Sequence, residues 1–323
     1  MRPAALVTVL LTLLATAGCL SCRDNLVSLE HADGSNDHRI FRLASVTQVM
    51  MEPVLWRLED DGLVSFRRPV TDYLWNPLPP EFTNVTLRAL HDNTSGLPRD
   101  LLDLWCLGDI GTALACAVAG TDPYAGFSDR SEFVRRLWEP RIRGMVRNGS
   151  PGKSNVGYAL MMMAICDHLG TTPQALCEKY LIEPYGLKDT SFEPAVGMLP
   201  RVARPCAGTF PLALPAGLEV DDHRVGDVTV MSRGMLSSAS DVLKVCYVIL
   251  PHLQRAKGVL DARTLDCGHE ALYRDGAIGG GYAFVGFDPV DRHAVVVLEN
   301  GTRWSSGRGF EVLDELVRPP TDD

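Results

Sequence analysis

The sequence is short of basic charge, of aromatic residues and of long apolar runs. Lys and Arg number 31 against 40 acidic residues, a formal net charge of −9. That balance argues against nucleic acid or an anionic membrane surface as the main partner, because both reward a basic face. Aromatics make up only 7% of the 323 residues. Past the N-terminus no apolar run reaches the roughly 18 residues of a membrane-spanning helix, and Val242–Leu250 is broken by Lys244. Repeats and low-complexity segments are missing, which excludes solenoids and linkers. There is no Gly-x-Ser-x-Gly elbow, no His-Glu-x-x-His pair, no Walker loop and no Gly-x-Gly-x-x-Gly after a strand. Cys166-Asp-His168 and Cys267-Gly-His269 each offer two metal ligands, but neither has a spaced partner pair. No metal and no organic cofactor is therefore expected. Gly279-Gly-Gly281 reads as a turn rather than a phosphate cradle.

What is present suits a globular chain: 46% hydrophobic and 22% charged residues. Length alone suggests about two domains. Met1 to Gly18 reads as an export signal, with Arg2 before an apolar run and Ala15-Thr16-Ala17 as a small-residue cleavage site. Thr16-Ala17-Gly18-Cys19 is also close to a bacterial lipoprotein site, so a lipid anchor at Cys19 stays an alternative. Four Asn-x-Ser/Thr sequons, at Asn84, Asn93, Asn148 and Asn300, take half of the eight Asn. This excess favours a glycosylating secretory route, and the chain is read as a secreted glycoprotein. Nine cysteines is an odd number, so at least one is free, lipidated or paired between chains. Oligomeric state is left open.

Ile40 to Leu43 reads as a short strand, and Ser45 opens a helical pattern that stops at Gly62. Pro53 should kink that helix. Segments from Leu87 to about Gly186 read as helices, the most apolar being Val156–Leu169, whose Met run reads as core filler. Asp227–Met231 reads as a strand and Ser240–Leu250 as a helix. Tyr282–Phe287 and Ala294–Glu299 form a hairpin around Asp288-Pro-Val-Asp291, and Phe310–Val317 is a closing helix. Strands near both ends and helices between them predict an α+β fold, an antiparallel sheet flanked by helices with a helical insertion domain. The boundaries are 23–75 with 201–323 for the sheet domain and 76–200 for the insertion.

One constellation carries chemistry. Phe41-Arg-Leu-Ala-Ser45 places a serine at the start of a buried helix, where free backbone N–H groups can support an oxyanion. The plainer reading of Ser45 is an ordinary N-cap. Here the chain resembles the class C β-lactamase and penicillin-binding-protein-like serine hydrolases, which include esterases and D-amino peptidases. Gly62-Leu-Val-Ser-Phe-Arg-Arg-Pro69 looks like the family's segment after the nucleophile helix. Thr86-Leu-Arg followed by Thr94-Ser-Gly-Leu-Pro98 is similar to its Thr-Leu-Arg…His-Thr-Ser-Gly-Leu-Pro stretch. Ser154-Asn155-Val-Gly-Tyr158-Ala-Leu160, Glu183-Pro-Tyr-Gly-Leu-Lys-Asp-Thr-Ser-Phe192, Gly234-Met-Leu-Ser-Ser with Asp241, and Val295-Val-Val-Leu-Glu-Asn300-Gly match later signatures in the family's order.

The departures fall on the polar groups. The family has a proton-accepting Lys three residues after the nucleophile; here Gln48 stands there, and a neutral amide cannot take a proton. The Tyr that opens the second motif is Lys153. The third motif, on an edge strand, becomes Arg274-Asp-Gly276, and Asn93 stands where the family has His. Two readings follow. In the first, the resemblance implies acyl transfer on an ester, β-lactam or small amide. Ser45 attacks, Lys153 takes its proton with a depressed pKa, and Asn155 holds the substrate amide. Gln48 and Gly276 line the substrate, and Arg274 binds a carboxylate. In the second, the fold is a catalytically inactive pseudoenzyme that acts as a secreted binding protein. A small-molecule or peptide acyl substrate is the expected partner, with no nucleic acid and no stable membrane span.

Overall fold

The computed structural model describes residues 25–29, 39–101, 129–149, 152–203, 228, 230–278, 281–300 and 307–317. The leader, Cys19, Cys22, Cys106, Cys116 and Cys206 lie outside them. Among the described residues the strands are β1 (Asn25–Leu29), β2 (Phe41–Arg42), β3 (Leu236–Ser237), β4 (Asp261–Thr264), β5 (Glu270–Ile278), β6 (Gly281–Asp288) and β7 (His293–Asn300). The helices are α1 (Val46–Met50), α2 (Glu52–Asp60), α3 (Leu87–His91), α4 (Arg130–Leu137), α5 (Pro140–Asn148), α6 (Asn155–Leu169), α7 (Pro173–Cys177), α8 (Glu183–Tyr185), α9 (Val230–Arg233), α10 (Ala239–Ile249) and α11 (Gly307–Val317).

The main sheet is antiparallel with order β1-β7-β6-β5-β4, and β2 pairs with β3 beside it. Its central hairpin is buried on both faces. Ala283, Val285 and Phe287 with Val296 and Leu298 join the large core, while Tyr282, Phe284, Val295 and Val297 pack under Phe310 and Leu313 of α11. The period-2 alternation of a strand thus serves two apolar layers. Asp288 closes the hairpin, its Oδ1 accepting from Val290 N at 2.9 Å, an Asx-type turn.

Between the sheet-forming ends lie α3 to α8. Helix α6 is buried from Val156 to Ile165, so its Met run is core. Ser154 Oγ accepts from Gly157 N at 2.8 Å as the N-cap, and Gly170 at φ +61° ends the helix. Pro53 does more than kink: the chain breaks at Met51, and Pro53 is the second residue of a new helix, α2, where its missing N–H costs nothing. A segment read as a strand around Asp227–Met231 is instead the short helix α9 over Val230–Arg233, with residues 227 and 229 outside the described set. Its Val-rich composition favours a strand, but α9 packs against both α1 and α6, and that tertiary position prevails. Asp241 of α10 ties in the 183–192 element, accepting from Asp189 N at 2.8 Å and Thr190 Oγ1 at 3.1 Å. Among the described residues no helix is long and apolar enough to cross a membrane.

Candidate active site

Ser45 stands between β2 and α1, half-buried, with β2 held by Leu43 N donating to Met235 O at 2.9 Å. Ala44 before it has φ +45°, a left-handed conformation that a side chain rarely adopts and that costs about 1–3 kcal/mol. Strain of this kind persists only where neighbours enforce it. Ser45 occupies the N-cap position, yet its hydroxyl makes no capping bond. Among the described residues neither its Oγ nor its N–H is hydrogen-bonded, so an attacking atom and an oxyanion donor are both free on one residue. Helix α1 has five residues, so the N–H itself matters more than the dipole.

Gly276 of β5 makes room for this. A Cβ there would stand 2.5 Å from Ser45 N and 3.0 Å from Ala44 Cβ. Backbone meets backbone, and only glycine allows it. Gly276→Ala is expected to push α1 off β5, costing about 1–3 kcal/mol, as overpacking does. Its chemical denaturation midpoint should fall, and Ser45 should lose reactivity toward a fluorophosphonate.

Three predicted residues come together around Gln48. Gln48 is 1% exposed and is reached by Arg274 Nη2, which donates to its Oε1 at 2.7 Å. Gln48 Nε2 donates to Asn155 Oδ1 and to Ser232 O, each at 3.3 Å. Asn155 Nδ2 in turn donates to Asp100 Oδ1 at 3.0 Å. The bonds run in one direction, from a guanidinium through two amides to a carboxylate, which lets them polarise one another. Arg274 is 3% exposed, and among the described residues its Nε and Nη1 have no acceptor. Burial lowers its pKa, and the charges of Asp261 and Asp275 oppose that fall. On the other side Tyr158 OH donates to Gln48 O at 3.3 Å, and burial pushes this phenol well up, away from any role as base.

Lys153 is placed differently. Its ammonium pairs with Asp261 at the start of β4, its side chain is 39% exposed, and none of its described contacts is with Ser45. Strand β4 is the sheet edge and pairs with Glu270–Tyr273, so among the described residues β5 has no strand partner on that side from Arg274 onward.

Of the sequons, Asn84 and Asn148 are exposed. Asn93 is engaged: its Nδ2 donates to Gly258 O at 2.8 Å and its Oδ1 accepts from Ser154 N at 2.8 Å. Asn300 is the last residue of β7. Among the described residues His269, Asp288 and Asp291 bring metal-type donors within 4.8 Å of one another. Asp288 already accepts from two backbone N–H groups of its turn, at the end of the β5–β6 ladder away from Gly276. Cys166, Cys177, Cys246 and Cys267 are free thiols.

Sequence reasoning missed Asp100 and a buried cluster at the start of α2. Glu52 is fully buried at the start of α2; its Oε2 accepts from Trp56 Nε1 at 3.0 Å and its Oε1 meets His91 Nε2 at 2.9 Å. His91 Nδ1 lies 2.5 Å from Asp92 Oδ1. Burial alone would lower the His91 pKa, but the Glu52 charge and bonds to Asp92 and Glu52 outweigh it and raise it to about 9. The cation therefore sits between two carboxylates.

An antiparallel sheet covered by helices, with a free serine under β5, describes a β-lactamase-type serine site. The Beta-lactamase family model matches residues 26–315, and the chain belongs to that family. Escherichia coli (strain K12) D-alanyl-D-alanine-carboxypeptidase/endopeptidase AmpH is 26% identical over 191 residues, 53% of this chain and 43% of that protein. The chain thus spans less than half the length of this curated relative. Among solved structures the fold is similar to a class C beta lactamase from Rhodobacter sphaeroides, with 16% identity, 87% of this chain and 86% of that chain covered, and a TM-score of 0.64. A beta-lactamase/D-alanine carboxypeptidase from Yersinia pestis shares 16% identity over 91% and 93% of the two chains, TM-score 0.61. D-amino acid amidase from Ochrobactrum anthropi SV3 shares 18% over 91% and 92%, TM-score 0.63.

Proposed function

We propose that this chain is a secreted serine acyl hydrolase that acts through Ser45 on an ester, a β-lactam or a small amide. The observation that carries the reading is the free Ser45 hydroxyl beside its own free N–H, set against β5 by the gap at Gly276. Ser45 Oγ forms a bond to the carbonyl carbon, and the oxyanion faces the Ser45 N–H. The bond to the leaving group then breaks, the serine proton passes to that group, and water releases the acyl chain. Asn155, with Gln48 behind it, positions the amide, and Arg274 supplies fixed positive charge. Proton removal is the weak step. Lys153 would have to leave Asp261 to reach Ser45, and general-base help is worth about 10²–10⁴-fold in rate. Slow acylation, and with it slow turnover, is the consequence. The exposed sequons at Asn84 and Asn148 support the secretory part of the reading.

Lys153's engagement also favours a second reading, an inactive binding protein that keeps the family's pocket. One experiment decides. The protein is incubated with a fluorophosphonate and with a penicillin and weighed intact. An adduct that vanishes in Ser45→Ala supports the hydrolase; its absence at high reagent concentration leaves the binding protein.

A further inference from the structure

Cys267-Gly-His269 has no spaced partner in the sequence, but the fold brings two carboxylates to it. His269 lies in the turn between β4 and β5, and Asp291 follows Asp288 in the turn between β6 and β7. The donor atoms of His269, Asp288 and Asp291 converge within 4.8 Å of one another. Side-chain parity explains the meeting. Ala271 of β5, Phe284 of β6 and Val295 of β7 pack in the layer under α11. Counting by twos along each strand puts His269, Asp288 and His293 on that same face. His293 stands directly opposite Asp288 in the ladder, a pairing that sets Cβ atoms about 4.5–5.5 Å apart. Two imidazoles and two carboxylates thus gather at one end of the sheet. The turn that carries His269 is anchored. Leu265 N donates to His269 O at 2.8 Å, and Asp266 N donates to Asp314 Oδ1 of α11 at 2.8 Å.

The spacing and the charge both suit a small cation. His269 Nδ1 lies 3.1 Å from Asp288 Oδ2 and 3.8 Å from Asp291 Oδ2. Tetrahedral ligands at about 2.0–2.1 Å from zinc stand about 3.3 Å from one another. Calcium and magnesium take oxygen ligands, so a set that includes imidazole selects a softer ion. Asp288 is fully buried, yet among the described residues no lysine or arginine pairs with it or with Asp291. A buried carboxylate needs a cation beside it, and among the described residues His269 alone stands there. The turn N–H groups of Val290 and Asp291 bond Asp288, but two carboxylate oxygens carry about four acceptor sites, which leaves room for a metal bond.

We propose that His269, Asp288 and Asp291 form a zinc site. His269 Nδ1 binds the ion and the neutral ring carries its proton on Nε2, while one oxygen of each aspartate supplies the other two bonds. Three protein ligands leave a fourth position, which water fills. The ion pins the β4–β5 turn to the β6–β7 turn. Seven residues of extended chain separate His269 from Gly276, roughly 23 Å, so the site is distinct from Ser45 and does not rest on the acyl-transfer reading.

The test uses zinc alone. Zinc chloride is titrated into the chelator-treated full chain and followed by calorimetry and by thermal melting. One ion per chain should bind and raise the melting temperature. His269→Gln and Asp291→Asn should each weaken binding about tenfold or more, since a lost ligand costs at least as much as a lost outer partner. Both side chains are partly exposed, so the zinc-free variants should melt with the wild type. Asp288 is left intact because it closes the hairpin. Cys267→Ser should bind zinc as the wild type does, which separates the site from the exposed thiol on the same turn. No zinc binding up to about 1 mM, binding that survives His269→Gln and Asp291→Asn together, or binding lost in Cys267→Ser would overturn the proposal.

Discussion

Gln48→Lys, which installs the lysine the family has at this position, is expected to destabilise the protein by about 3 kcal/mol rather than to revive it. Gln48 Oε1 is the acceptor for the Arg274 guanidinium at 2.7 Å, and both residues are buried. A lysine has no acceptor to give, so Arg274 would be left without a hydrogen-bond partner among the described residues and would face a second cation. Ser232 O and Asn155 Oδ1 could still take bonds from the new ammonium, which limits the loss. Arg274 would hold the lysine pKa below its unfolded value. The unfolded chain then binds more protons, so the variant's stability deficit should shrink as pH rises. Gln48→Glu places a negative charge on the guanidinium in nearly the same shape but gives up the bonds to Asn155 Oδ1 and Ser232 O, and should be more stable than Gln48→Lys near neutral pH. Urea denaturation of the three proteins at two pH values measures both effects. Equal stability of Gln48→Lys and Gln48→Glu would show that Arg274 does not depend on this oxygen.

His91→Leu should cost about 3–5 kcal/mol, because it leaves the fully buried Glu52 carboxyl without its partner cation. Glu52→Gln combined with His91→Leu should recover a large part, since no charge is then stranded. The pair also sets a pH dependence. His91 is raised from 6.5 to about 9, so its contribution is complete below about pH 6.5 and is lost as pH climbs through about 9. Linkage makes the lost contribution about 3 kcal/mol. Thermal melts of wild type at pH 6, 8 and 10 should show this alkaline loss, and the double variant should lack it. A wild-type melting temperature that is flat across the range would refute the charged bridge.

Much of this architecture could be read from local pattern. The hairpin Tyr282–Phe287 and Ala294–Glu299 and the buried helix around the Met run each follow from residues close in sequence. The α9 segment shows the limit, since contacts from two distant helices overrode its β-branched composition. In the site, Ser45, Gln48, Asn155, Arg274 and Gly276 were legible because a family pattern fixes their order. Their partners were not. Asp100 meets Asn155 across 55 positions, and His91 meets Glu52 across 39, and no spacing rule links such residues. Lys153 shows the same limit from the other side: a suggestive residue type says nothing of Asp261, 108 positions away, which claims its ammonium.

The short strand β1 has a consequence for the survival of the folded chain. Its five residues pair with β7, from Asn25 opposite Asn300 to Leu29 opposite Val296, along the outer edge of the strand that carries Val295-Val296-Val297-Leu298. An apolar β-branched run with an uncovered edge is a template for self-association, since its open N–H and C=O groups can recruit a second chain. β1 serves as a protective selvedge. Proteolytic trimming past Leu29 would turn the newly bared edge of β7 into a seed for aggregation.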